Sequence, residues 1–77
     1  MTEFENLKRS YFAAIQCGLA ANAGYCDVKN ANIFIYEFCK TFIDNSGYND
    51  IDKETIKLEL KLLKDSLTQE IKEFYNK

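Results

Sequence analysis

The chain has 77 residues, 47% of them apolar, with 10 basic and 12 acidic residues for a formal charge of −2. A chain this short holds one domain, and only a rich core lets it fold alone. The mixed charge argues against a dedicated nucleic-acid binder and against a polyanionic mimic, and no apolar run reaches the roughly 18 residues of a membrane-spanning helix.

There is no Pro and no Trp, and only three Gly. Abundant Leu, Lys, Glu and Ala without Pro favours long uninterrupted helices. The expected fold is therefore all-α: a small antiparallel three-helix bundle, up-down-up, with a long C-terminal helix. It forms a single helical domain over 1–77, with helices at about 3–22, 28–44 and 53–75. The N-terminal MTEFENLKRSYF lacks the charged-then-apolar layout of a secretion signal, so a cytoplasmic location is expected. Lys, Asn, Ile, Phe and Tyr make up 34 of the 77 residues. Their codons are A/T-rich, which suits a phage or mobile element of an AT-rich genome.

Helix one opens at Thr2, with Glu5 three residues on as the partner of a capping box. Phe4, Leu7, Tyr11, Ala14, Ile15, Gly18 and Leu19 form its inward stripe, with Phe12 at the edge. Ala13, Cys17 and Ala21 form a row of small residues, and Ala14 and Gly18 a second. Small rows admit a close neighbour, which would compensate for the roughly 0.5–1 kcal/mol that Gly18 costs inside a helix. Gly24 is expected to end the helix in the left-handed conformation.

Helix two is expected to be the centre of the bundle, with Asp27 as its N-cap. Val28, Ala31, Ile35, Phe38 and Phe42 recur at helical spacing. Phe34, Cys39 and Ile43 widen that stripe, and Ile33 and Tyr36 extend it further, so little of the helix is left for water. On this basis Phe38→Ala removes a core side chain and costs roughly 3–5 kcal/mol. The loop DNSGYNDID from Asp44 has a calcium-loop flavour. Its Gly47 and Glu54 are out of register with the twelve-residue pattern, so no metal is expected.

Helix three starts after Asp52 as N-cap, with Ile51 and Ile56 as a hydrophobic staple. Ile56, Leu60, Leu63, Leu67, Ile71 and Phe74 form the inward stripe. Its length suggests a far end that projects beyond the bundle. Leu58 and Leu62 lie opposite the stripe at about 100° per residue and suggest a second contact surface. Lys53, Lys57, Lys61, Lys64 and Lys72 fall on one flank, a candidate surface for an acidic partner.

Catalytic chemistry has little to work with. There is no His, no serine elbow, no phosphate loop, and the three cysteines Cys17, Cys26 and Cys39 lack metal-ligand spacing. No cofactor is expected. The sequence points to a small non-enzymatic protein-binding module, such as an inhibitor, immunity or regulatory factor. It is expected to pair as a homodimer through Leu58, Leu62, Ala13, Cys17 and Ala21. A nucleic-acid or nucleotide binder using the lysine flank is the alternative, with Tyr75 as a stacking residue. A structural homo-oligomer is a third.

Overall fold

The computed structural model describes residues 2–76. Within them the chain forms α1 (Thr2–Ala20), α2 (Tyr25–Asp44) and α3 (Asp50–Tyr75), an antiparallel three-helix bundle of 42 × 17 × 17 Å. All three helices pack against one another. Short links force the up-down-up order, because four or five residues allow only a reversal of direction.

The first reversal is a Schellman motif. Asn22 takes the left-handed conformation at φ 58°, the Ala23 amide donates to Gly18 O, and the Asn22 amide donates to Leu19 O. Asn22 therefore has the role expected of Gly24, which instead is extended at φ −65° and serves as N-cap of α2. Asp27 lies in the first turn rather than at the cap, where its carboxylate favours the positive helix end. The capping box of Thr2 and Glu5 falls on a Thr2 side chain outside the described ones.

At the second reversal Asn49 is the N-cap of α3, accepting from the Asp52 amide at 2.8 Å, so Asp52 sits inside the first turn. Ile51 is 80% exposed, so the expected staple with Ile56 does not form. Lys53 Nζ donates to Asp44 O at 3.0 Å and Lys57 Nζ to Asp44 Oδ1 at 2.8 Å. Both cations thus sit at the negative C-terminal end of α2. Salt-bridging by Lys57 holds the Asp44 carboxyl below the usual carboxylate range and pushes the Lys57 ammonium up.

The core is built from Phe4, Tyr11, Ile15 and Leu19 of α1, Val28, Cys39 and Ile43 of α2, and Ile56, Leu60, Leu67 and Ile71 of α3. The stripes predicted for α1 and α3 are largely those observed. Exceptions are Ala14, which is exposed, and Phe74, which lies at the edge. Helix α3 is the longest, at 26 residues, yet its end does not project. The Tyr75 hydroxyl donates to Ala23 O and the Tyr75 ring stacks on Tyr25 with centroids 5.6 Å apart, which ties the last turn to the first link.

Helix α2 departs most from expectation. Phe34, Phe38 and Phe42 are 73%, 61% and 49% exposed, and Ile33 also faces water. The helix is turned so that Asn32, only 2% exposed, points into the bundle. Asn32 Oδ1 and O both accept from the Tyr11 hydroxyl, and Asn32 Nδ2 donates to Thr68 Oγ1 at 3.0 Å and to Lys64 O at 3.3 Å. Among the described residues no buried side-chain nitrogen or oxygen is left unpartnered. A buried amide without partners costs about 1–3 kcal/mol, so the rotation that satisfies Asn32 from both other helices is strongly favoured. Phe34, Phe38 and Phe42 are turned out to water as a consequence.

Candidate functional site: three grooves of different chemistry

Each pair of helices leaves a groove on the surface, and the three differ in character. Between α1 and α2 runs an apolar trough of 250 Å³ lined by Ala14, Ile15, Gly18, Ala23, Asp27, Val28 and Ala31. Side chains here are small, and a methyl group placed on Gly18 would meet Val28 Cγ2 at 3.5 Å, an ordinary contact. The backbones are therefore not so close that only glycine fits, and the close approach expected at Gly18 is not required of it.

The phenylalanines of α2 continue this face. Phe34, Phe38 and Phe42 are spaced by four and form one row along the helix, beside Ala31 and Ile35. Helices α1 and α2 are antiparallel, so the trough lies at the Gly18 and Val28 end and the phenyl row at the other. Cys17 and Ala21 are exposed next to Ala14 and Gly18, with Ala13 further round. Cys17 and Ala21 of the small-residue row singled out in the sequence thus lie at the trough end, and Asp27 is the one charge in the trough lining. Periodicity had grouped these aromatic residues correctly. It assigned them to the core, whereas the bundle buries Val28, Asn32, Cys39 and Ile43 of the same helix instead.

Leu58 and Leu62 stand on the outer side of α3, 58% and 60% exposed. They are on the far side of α3 from its core stripe, with Ile51 and Thr55 on the same side. The structure does not bring them together with Ala13, Cys17 and Ala21, which lie on α1 beside α2. Leu58 and Leu62 thus form one exposed surface, and Ala13, Cys17 and Ala21 a second.

Between α2 and α3 lies a basic groove of 370 Å³ lined by Tyr25, Lys29, Asn32, Ile33, Lys64, Thr68, Ile71 and Lys72. No carboxylate lines it. The lysine flank read from the sequence divides here. Lys53 and Lys57 are engaged with Asp44, Lys61 is exposed further out, and Lys64 and Lys72 face the groove together with Lys29 of α2. Lys29 belongs to the other wall and was missed because a flank read along one helix cannot show what the neighbouring helix adds. Between α1 and α3 the groove has two stretches, an acidic one of 380 Å³ lined by Gln16, Leu19, Ala20, Glu70, Glu73 and Phe74, and one of 340 Å³ lined by Glu5, Lys8, Arg9, Phe12 and Leu63.

Two interior groups have displaced protonation. Burial pushes the Tyr11 phenol well above its usual range, reinforced by Cys39, Tyr36 and Asp65 nearby. Burial likewise raises the Cys39 thiol. A neutral buried thiol is a poor nucleophile and packs as a small hydrophobe. Cys17 and Cys26 are free and exposed. Among the described residues no group of three or more Cys, Asp or Glu side chains could hold a metal ion. Among those residues, too, no helix is long and apolar enough to cross a membrane.

Compared with known proteins, the chain matches no family model, no curated protein and no solved structure.

Proposed function

We propose that the chain is a small non-enzymatic protein-interaction module that docks through the α1/α2 face, and that a second copy of itself occupies that face. The observation that carries this is the exposed phenyl row of Phe34, Phe38 and Phe42. A phenyl side chain presents on the order of 200 Å². At 73%, 61% and 49% exposure the three rings leave roughly 370 Å² uncovered in one continuous strip. A stable interface takes about 800 Å² from each partner, so the rings alone supply nearly half.

The face suits its own copy. A two-fold axis near Phe34 lays the phenyl row of one chain over the Ala14, Gly18 and Ala31 trough of the other, and the reverse, which is the reciprocal contact an isologous dimer requires. The trough lining carries one charge, Asp27, so two copies of a net-negative chain can meet there with little repulsion.

Analytical ultracentrifugation at micromolar concentration tests this. Wild type sediments as a dimer. Phe38→Ser and Ala14→Trp, one removing the row and the other filling the trough, give folded monomers. Leu58→Glu with Leu62→Glu leaves the dimer intact. A monomeric wild type removes the second copy as occupant. Dissociation by the leucine variant alone moves the interface to the outer side of α3.

A further inference from the structure

We infer that the α2/α3 groove is a binding site for a phosphate ester with a flat body, the chemistry of a nucleotide, held by Lys29, Lys64 and Lys72 against Tyr25. The site is separate from the docking face and does not depend on it. Three lysines line this groove in a chain whose net charge is −2, and among the described residues no acidic side chain lines it with them. Among the described residues the ion pairs within 4 Å involve Lys8, Lys40 and Lys57. Lys29, Lys64 and Lys72 make none.

Lys64 makes the strongest case. It is half-buried and without a carboxylate partner. Its ammonium lies 5.1 Å from the Tyr36 ring centroid. An anion in the groove would give it the ion pair it lacks among the described residues. Lys29 stands 5.8 Å from the Tyr25 centroid, so a cation and an aromatic ring are paired on the opposite wall as well.

The groove is also firm. Its floor is the Asn32 and Thr68 cluster, in which Asn32 Nδ2 is spent on Thr68 and Lys64 O, and the Thr68 hydroxyl donates back to Lys64 O at 2.8 Å. These polar atoms fix the shape of the site and leave the lysines to bind charge. Tyr25 is braced from behind by stacking on Tyr75, and Ile33 and Ile71 complete an apolar wall. Lys64 and Lys72 are eight residues apart on α3, roughly 12 Å along the axis, which suits a ligand longer than a single oxyanion. The phosphates meet the ammonium groups, and the flat body takes the place of Lys29 over the Tyr25 face that Tyr75 leaves open, with Lys29 swung to the phosphates. A free nucleotide and a nucleotide within a single strand share this chemistry.

Isothermal titration with ADP, inorganic pyrophosphate and a short single-stranded thymidine oligonucleotide tests the site. The comparison variant is Lys29→Gln/Lys64→Gln/Lys72→Gln, with Lys8→Gln/Arg9→Gln as a control on the opposite side. ADP is expected to bind more tightly than pyrophosphate, to weaken as salt rises, and to lose at least about tenfold in the triple variant only. Binding of the oligonucleotide without ADP, with the same lysine dependence, also supports the site and assigns it to a single strand. No binding of either, equal affinity for pyrophosphate and ADP, or a triple variant that binds as wild type overturns the proposal. Unchanged melting of the triple variant shows that a loss of binding is not a loss of fold.

Discussion

Tyr11→Phe removes one oxygen atom from the core and tests what orients α2. The Tyr11 hydroxyl donates to both the carbonyl and the side-chain oxygen of Asn32, which is 2% exposed. Without it, Asn32 Oδ1 faces the core with no donor while Asn32 Nδ2 stays bonded to Thr68 and Lys64 O. An unsatisfied buried acceptor costs about 1–3 kcal/mol. A domain of this size shifts its melting temperature by roughly 4–8 °C per kcal/mol, so a fall of at least about 4 °C is expected. Asn32→Leu in the Tyr11→Phe background removes the stranded acceptor and replaces it with apolar volume. The double variant should therefore melt above the value obtained by adding the two single losses, with a coupling of about 0.5–3 kcal/mol. Thermal and urea unfolding followed by circular dichroism measure all four corners of the cycle. Single losses below about 0.5 kcal/mol that simply add would refute the reasoning, since they would mean the cluster is not what sets the rotation of α2.

Three further outcomes follow from the same geometry. Phe38→Ala should cost the monomer no more than about 2 kcal/mol, below the roughly 3–5 kcal/mol of a core phenylalanine, measured by urea unfolding at a concentration below dimerisation, because the ring is 61% exposed. Gly18→Ala should raise the melting temperature by roughly 2–8 °C, since the added methyl meets Val28 at an ordinary 3.5 Å and the helix gains about 0.5–1 kcal/mol of propensity. The Asp44–Lys57 pair should stabilise wild type over Asp44→Asn near neutral pH. Its carboxyl is held low by the hydrogen bond from Lys57, so that advantage is present above the ordinary Asp value of about 4 and disappears as pH falls below it. Melting curves of the two proteins that stay apart in acid would contradict this.

The fold itself was legible in the sequence for definite reasons. In α3 the apolar residues Ile56, Leu60, Leu67 and Ile71 are separated by charged ones, so a single direction is left for the core. In α1 the same holds for Phe4, Tyr11, Ile15 and Leu19. Absence of Pro and two short polar breaks then made three helices and an up-down-up order almost unavoidable. The grouping of Phe34, Phe38 and Phe42 on one row was legible too, as was the exposure of Leu58 and Leu62 opposite the stripe of α3.

Only the tertiary structure decided which way α2 turns. The apolar stripe of that helix is no less one-sided than those of α1 and α3, yet it includes Phe34, Phe38 and Phe42, which the bundle leaves exposed. The deciding residue is polar. Asn32 can be buried only where Tyr11 comes from α1 and Thr68 from α3, and hydrophobic patterning carries no record of a bond between residues 21 and 36 positions apart. Turning Asn32 inward places the phenyl row on the surface, on the same α1/α2 face as the Ala14 and Gly18 trough. It also sets Lys29 opposite Lys64 and Lys72. Both candidate surfaces are made by two helices meeting, and the sequence of either helix alone contains only half of each.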